Sequence, residues 1–252
     1  MQLSNNYWYF KSAIDSDTCR KIVNLGKSII QDNKNKGVAT EATTFGNAEK
    51  GANPDAAPQN DETARDLADK KIEKTYLRDS SVAWINKSWL YDLLVPYIEL
   101  ANINSGWNWQ FSNTESCQFT VYKNKGFYGW HRDGMSDNPG AYKRYIYGVT
   151  EKPLKSNGDI PDGYTQFPEM VGKIRKISLT LNLTDPEDYE GGDLKFDFGE
   201  HAKDGQRFHT CEEIRPQGSI IVFPSFLPHC VTPVTKGTRY SAVLWALGDP
   251  FK

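Results

Sequence analysis

Hydrophobic residues follow a helical spacing in the N-terminal part of the chain. Ile22, Leu25 and Ile29 recur three and four residues apart, which predicts an amphipathic helix over residues 16–32. A second group of apolar residues with the same spacing predicts another helix over residues 88–101. The first part of the chain is therefore expected to supply helices that pack on another layer.

From residue 110 onward, apolar and polar residues alternate with a period of two, which is typical of half-buried strands. The clearest case is residues 177–184, where Ile and Leu occupy one face and Ser, Thr and Asn the other. Further predicted strands cover residues 7–13, 81–86, 115–123, 193–198, 218–223 and 239–247. Many short strands after two helices predict a mainly β, α+β chain with a jelly-roll or barrel core.

We expect residues 1–252 to form one domain, with helical support in 1–109 and the catalytic β core in 110–252. Two polar stretches, 33–74 and 134–175, contain too few large apolar residues to build a core of their own. Each is interpreted as an insertion that covers the substrate. For the first, a solvated loop and a flap that orders on a partner both stay open.

The composition favours a globular protein over a disordered, nucleic-acid-binding or membrane-spanning one. A hydrophobic fraction of 38% predicts a globular chain, and a net charge of −2 lacks the basic excess typical of nucleic-acid binders. No apolar run in the sequence is long enough to span a bilayer, and we expect no signal peptide. Four scattered cysteines without a CxxC pair favour free thiols, so we expect a cytoplasmic protein.

A candidate metal site is formed by His131, Asp133 and His229. On an extended chain, the first two side chains leave the same face about 6.5–7 Å apart, although such a pair alone is commonly a surface salt bridge or a turn. His229, 96 residues after Asp133, completes the two-histidine, one-carboxylate set of non-haem Fe(II) oxygenases. Residues expected to have no metal role are His201, His209 and Cys230.

Arg239 follows His229 by ten residues. Residues 234–238 predict a hairpin, which would place Arg239 on the order of 13 Å from His229 along the sheet. A five-carbon diacid bound to the metal at one end would span that gap, and the planar guanidinium suits its other carboxylate. Ser241 and Trp245 share the face of Arg239, so the first could donate a hydroxyl and the second could form a pocket wall.

Three alternatives stay open for these residues. An Fe(II) oxygenase built on them could act on a small molecule or a nucleobase rather than on a protein residue. A jelly-roll module could bind a ligand without catalysis, although it would not need Arg239. A zinc hydrolase with the same three ligands would need a general base, for which Asp137 is a weak candidate.

The metal and arginine motifs, taken in order, resemble the Fe(II)/2-oxoglutarate dioxygenase superfamily. The likeness is to its prolyl 4-hydroxylase-like branch, which includes PKHD-type hydroxylases. The segments that carry it are residues 118–122, 126–133, 179–183, 189–194, 228–234 and 237–245. This resemblance implies a double-stranded β-helix fold.

The resemblance also implies roles for individual residues. The iron ligands would be His131, Asp133 and His229. The residues that hold 2-oxoglutarate would be Arg239, Tyr122, Ser241 and Thr180. The residues on the substrate side would be Tyr128 and Trp245. Many members also need ascorbate to keep the iron reduced.

The implied reaction uses O₂ and 2-oxoglutarate to hydroxylate an unactivated C–H bond, with release of succinate and CO₂. A prolyl or other peptidyl residue of a protein or peptide is the expected substrate. Collagen-type enzymes usually have Lys where this chain has Arg239, so a collagen-like substrate does not follow. Nucleobase-repair relatives have a second Arg where this chain has Trp245, which makes nucleic acid an unlikely partner.

Overall fold

The computed structural model describes residues 3–42, 78–134, 141–154, 160–161, 163–199 and 205–251. Within these ranges the α-helices are α1 (Ser16–Asn35) and α2 (Ser88–Asn104). The strands are β1 (Trp8–Phe10), β2 (Arg78–Asp79), β3 (Ser81–Ile85), β4 (Asn113–Thr114), β5 (Cys117–Tyr122), β6 (Phe127–His131), β7 (Lys143–Arg144), β8 (Tyr164–Thr165), β9 (Ile174–Asn182), β10 (Tyr189–Gly191), β11 (Leu194–Asp197), β12 (Phe208–Thr210), β13 (Ile220–Pro224), β14 (His229–Val231), β15 (Val234–Gly237) and β16 (Arg239–Gly248).

Two antiparallel sheets form the core of the fold. The larger sheet has the order β1-β13-β9-β16-β5-β3, with β4 paired to β16, and the smaller has the order β12-β11-β14-β6-β2. They pack face to face, because Ile221 and Phe223 of β13 share an apolar cluster with Leu194 and Phe196 of β11. This arrangement confirms the predicted jelly roll with N-terminal helices.

The helices cover the outer face of the larger sheet. Helix α1 begins after Asp15, whose carboxylate accepts a hydrogen bond from the Thr18 backbone N–H at 2.8 Å. Apolar residues of both helices are buried against one face of the sheet, on which Leu179 and Leu181 lie. The same alternation directs Ser178, Thr180 and Asn182 to the inner face, so the space between the sheets has a polar wall on β9.

The hairpin predicted for residues 234–238 is wrong. Strand β15 pairs with β10, whereas β16 lies between β9 and β5 in the larger sheet. The chain therefore passes after Gly237 from a separate two-stranded sheet, formed by β10 and β15, into the larger sheet. Gly237 serves this crossing: its φ is +74° and a Cβ there would overlap the Asp188 carbonyl oxygen.

The two predicted insertions are only partly described. The first was expected to begin at residue 33, but α1 continues to Asn35 and Glu41 forms a bridge with Ser81; residues 43–74 lie outside the described ranges. The second contains β7, β8 and the start of β9, which begins at Ile174, so its predicted end at residue 175 is too late. None of the described helices combines the length and apolar character needed to cross a membrane.

Gly26 allows α1 to approach the larger sheet closely, because a Cβ there would overlap the Phe119 ring. We expect Gly26→Ala to lower the free energy of unfolding by about 1–3 kcal/mol, since overpacking opposes the helix-propensity gain of about 1 kcal/mol. Chemical denaturation would measure the change, with the exposed Ser28→Ala on the same helix as a near-neutral control. A more stable Gly26→Ala variant would contradict this packing.

Candidate active site

The three candidate metal ligands meet where β6 and β14 pair. His131 lies directly opposite His229 in the antiparallel register, and the Asp133 backbone N–H donates to the Ser225 carbonyl at 2.8 Å. One ligand atom from each residue lies within 4.8 Å of the others. Asp133 Oδ1 is 3.8 Å from His131 Nε2, and Asp133 Oδ2 is 3.7 Å from His229 Nε2. The three side chains can therefore meet on one face of a metal ion.

Backbone carbonyls fix which nitrogen of each histidine is available. His131 Nδ1 is 2.8 Å from the Gly129 carbonyl oxygen, and His229 Nδ1 is 2.8 Å from the Leu227 carbonyl oxygen. Because a carbonyl only accepts hydrogen bonds, each Nδ1 must carry a proton and donate it. The lone pair of each neutral ring is then on Nε2, which faces Asp133.

The protonation states suit a cation. Burial, followed by the nearby His229, lowers the pKa of His131 to about 3, so its ring is neutral at pH 7. Burial alone would raise the pKa of Asp133. However, His229, His131 and Arg175 together with the Ser178 hydroxyl, which donates to Oδ2 at 2.7 Å, bring this pKa below its usual value. The neutral His131 ring and the ionised Asp133 carboxylate can therefore both act as ligands of a cation.

Aromatic rings hold both histidines in place. The Tyr128 ring stacks on His131 with centroids 3.5 Å apart, and Phe223 meets His229 edge-on at 4.7 Å. Phe196 adds a third ring 6.3 Å from His229. These contacts restrict rotation of the imidazoles, which keeps the Nε2 atoms aimed at the same point. Tyr128 thereby lies beside the candidate metal ligands, and its predicted place on the substrate side stays a prediction.

Arg239 is buried between the sheets, with only 2% of its surface exposed. Tyr122 lies opposite it in the register, with the guanidinium carbon 5.6 Å from the ring centroid. Its Nε is buried without a hydrogen-bond partner, and none of the described carboxylates pairs with it. Gly192 makes room for it, since a Cβ there would be 2.9 Å from Arg239 Cδ. A buried cation in this state fits a ligand carboxylate.

The remaining predicted ligand-binding residues lie on the same inner face. Ser241 follows Arg239 by two residues on β16, and Thr180 is on the adjacent β9. Both are buried, as is Tyr122 on the other side of β16. Hydroxyl groups on β5, β9 and β16 therefore lie on the same inner face as Arg239.

A partly buried ion pair that the sequence did not reveal lies beside Trp245. Arg175 donates to both carboxylate oxygens of Glu115, at 2.5 and 2.6 Å, and its guanidinium carbon is 3.9 Å from the Trp245 ring centroid. The indole N–H of Trp245 is buried and unpartnered among the described residues. Trp245 lies opposite Ser178, the residue that donates to Asp133, in the register of β16 with β9. Its indole N–H is therefore an available donor on a strand next to the candidate metal ligands.

Strand alternation alone would place Arg175 on the wrong face. Counting back by two from Ile177 assigns it to the outer, apolar face. The pairing of β9 with β16 shifts register between Ala246 and Leu247, and this irregularity turns Arg175 toward Glu115. In the sequence, the feature that could have revealed this orientation is a charged residue at the start of an otherwise regular strand.

Other residues considered from the sequence lie away from this cluster. His209 is 3.0 Å from the Tyr7 hydroxyl, and Cys230 is buried but is not part of the group of candidate metal ligands. His201 and Asp137 lie outside the described residues.

A family profile described as "2OG-Fe(II) oxygenase superfamily" matches residues 117–247, just over half of the chain. The chain therefore belongs to the 2OG-Fe(II) oxygenase superfamily. This family uses Fe(II), 2-oxoglutarate and O₂, and the histidine–aspartate–histidine cluster is the metal-site candidate within the matched segment.

Curated relatives of this oxygenase include PKHD-type hydroxylases. One from Synechococcus is 38% identical over 96 residues, which are 36% of this chain and 39% of the relative. YbiX of Escherichia coli is 39% identical over 87 residues, which are 33% of this chain and 34% of the relative. The alignments thus span well under half of these relatives. They support the resemblance to the PKHD-type branch found in the sequence.

Solved structures of prolyl hydroxylases share the fold of this oxygenase. A Pseudomonas putida prolyl-4-hydroxylase superposes with a TM-score of 0.51 at 17% identity, covering 96% of this chain and 91% of that one. A Trichoplax adhaerens prolyl hydroxylase, in complex with a hypoxia-inducible factor oxygen degradation domain peptide, gives 0.54 at 14% identity, covering 96% and 83%. At these identities the likeness establishes the fold alone.

We expect Ser178→Ala to weaken metal binding about tenfold, because the hydroxyl that orients Asp133 is lost. Anaerobic titration with Fe(II) or Mn(II) would measure the affinity. Ser219→Ala is the matched control, since Ser219 is equally buried but accepts a hydrogen bond from the Ser12 backbone N–H. Equal metal affinities for wild type and Ser178→Ala would contradict this role.

Proposed function

We propose that this oxygenase hydroxylates a prolyl or other peptidyl residue, with iron held by His131, Asp133 and His229. The observation that carries the proposal is the proximity of two free Nε2 atoms and one carboxylate in the same interior as the unpaired Arg239. Two imidazoles and one carboxylate leave coordination positions open for a chelating cosubstrate and O₂.

The protein's part in the reaction is to bind and orient. Fe(II) with 2-oxoglutarate and O₂ supplies the oxidising chemistry, with succinate and CO₂ as the proposed products. Arg239 would bind the distal carboxylate through its planar fork, with Tyr122, Ser241 and Thr180 as additional hydroxyl donors. The enclosure between the sheets would exclude water from the reacting groups.

On the substrate side, Tyr128 and Trp245 would form the walls of the pocket. The unpartnered indole N–H of Trp245 suits a substrate carbonyl, and peptides supply carbonyls along their whole length. The Trichoplax prolyl hydroxylase bound to a peptide supports a peptide or protein substrate. A small-molecule substrate is the alternative for the same chemistry. Further proposals are a single domain over residues 1–252, a cytoplasmic location and ascorbate as reductant.

A zinc hydrolase is less well supported by the site. Its water nucleophile would need a carboxylate base next to the metal. Among the described acids, only Asp133 belongs to the cluster, and Glu115 is engaged by Arg175 through both oxygens. Arg239 would also have no role in such an enzyme.

Succinate formation tests the proposed function. The purified protein, with Fe(II), 2-oxoglutarate, ascorbate and O₂, should form succinate slowly without substrate and faster with an oxidisable peptide. His229→Ala should abolish this activity because it removes an iron ligand, whereas His209→Ala, a histidine outside the cluster, should retain it. Absence of succinate from the iron-loaded wild type would refute the proposal.

Arg239→Gln should weaken 2-oxoglutarate binding about 100-fold, because loss of one partner of a buried charge pair costs about 2–5 kcal/mol. Anaerobic titration of the Fe(II)-loaded protein would measure the dissociation constant. Arg20→Gln, on the exposed side of α1, controls for the change of charge. If Arg239→Gln bound 2-oxoglutarate like wild type, the carboxylate would have to be held elsewhere.

A further inference from the structure

A second arginine reaches the space between the sheets. Arg78 on β2 lies opposite Tyr128 of β6 in the register, and its guanidinium carbon is 4.4 Å from the Tyr128 ring centroid. That ring in turn stacks on the metal-ligand candidate His131. Arg78 is 9% exposed, so its charge is largely removed from water beside the candidate active site.

The hydrogen-bond partners of Arg78 are all neutral. Its Nε donates to Ser80 Oγ at 2.7 Å, and Nη2 donates to Gln118 Oε1 at 2.9 Å and Thr120 Oγ1 at 3.4 Å. Nη1 makes no hydrogen bond within the described ranges, and no described carboxylate is within ion-pair distance of the guanidinium. A buried charge is normally paired, so this one lacks its usual counterpart.

A count of the charges around the site also leaves Arg78 without a negative partner. Around the candidate metal ligands, the positive charges are those of Arg78, Arg175 and Arg239, and the negative charges are those of Asp133 and Glu115. The buried Lys176 is not counted, because its Nζ contacts the Gln110 carbonyl and the Phe251 ring instead. Fe(II) and the 2-oxoglutarate dianion cancel one another when both are bound. The loaded site would therefore keep one net positive charge. Arg175 is paired with Glu115, and Arg239 would be paired with 2-oxoglutarate, which leaves the charge on Arg78.

We propose that Arg78 is a specificity-determining residue that binds a carboxylate of the substrate. The carboxylate would come from an acidic side chain beside the oxidised residue or from a free α-carboxylate, and Nη1 would donate to it. Assigning this anion to the substrate rests on the proposed function, whereas the carboxylate site itself does not.

A binding experiment without turnover tests the site. The protein would be loaded with Zn(II) and saturated with 2-oxoglutarate, so that Arg239 is occupied. Saturation-transfer NMR would then compare N-acetylglycine with its neutral counterpart N-acetylglycinamide. We expect wild type to bind the carboxylate at least about tenfold more tightly than the amide, as for one charge-assisted hydrogen bond.

Three variants show whether the positive charge at residue 78 causes the preference for the carboxylate. Arg78→Gln should remove the preference for the carboxylate, Arg78→Lys should keep part of it, and the remote Arg20→Gln should leave it unchanged. A folded Arg78→Lys makes the test informative even if Arg78→Gln is unstable. Equal binding of the two probes by wild type, or a preference that persists in Arg78→Gln, would overturn the proposal.

The source of the carboxylate is resolved by a second pair of probes. Acetyl-Ala-Glu-Ala-amide should bind more tightly than acetyl-Ala-Gln-Ala-amide if an acidic side chain is recognised. A preference for N-acetylglycine alone would indicate a free α-carboxylate, and both results support the site. Succinate formation is measured separately, so a failed carboxylate site can be distinguished from a failed oxygenase assignment.

Discussion

The fold and the site depend on the antiparallel pairing of β6 with β14. This pairing places His131 opposite His229 and brings together residues almost one hundred positions apart in sequence. Each imidazole is oriented by a hydrogen bond from its Nδ1 to the backbone carbonyl two residues earlier, so the local backbone fixes the direction of the ring. Because a metal ion tolerates little displacement of its ligands, a change of one residue in this register would turn one histidine to the opposite face.

In the larger sheet, strand alternation directs the side chains that pack against the helices to one face and the polar side chains of the site to the other. The outer positions of β5, β9 and β16 bury apolar side chains under the helices, while their inner positions carry hydroxyls, amides and arginines. Stability from the outer face allows polar and charged groups to remain buried on the inner one. The cost of burying Arg78 and Arg239 is consistent with a site completed by anionic ligands.

The sequence predicted what depends on local periodicity and residue chemistry. The helices, the main strands and the metal candidates followed from spacing, and the family resemblance named the fold correctly. What it missed depends on tertiary pairing. The segment after His229 was predicted as a hairpin because its turn residues suit one, but its two strands belong to different sheets. The inward turn of Arg175 comes from a register shift, and Arg78 follows a polar stretch in which no periodicity points to a core.

We propose that one interior holds both iron and 2-oxoglutarate. A crystal structure of the protein with Mn(II) and 2-oxoglutarate, grown without O₂, would locate both. We expect the metal on His131 Nε2, Asp133 and His229 Nε2, and the distal carboxylate of 2-oxoglutarate on the Arg239 guanidinium. A metal bound at other residues, or a diacid that leaves Arg239 without an anionic partner, would refute this arrangement.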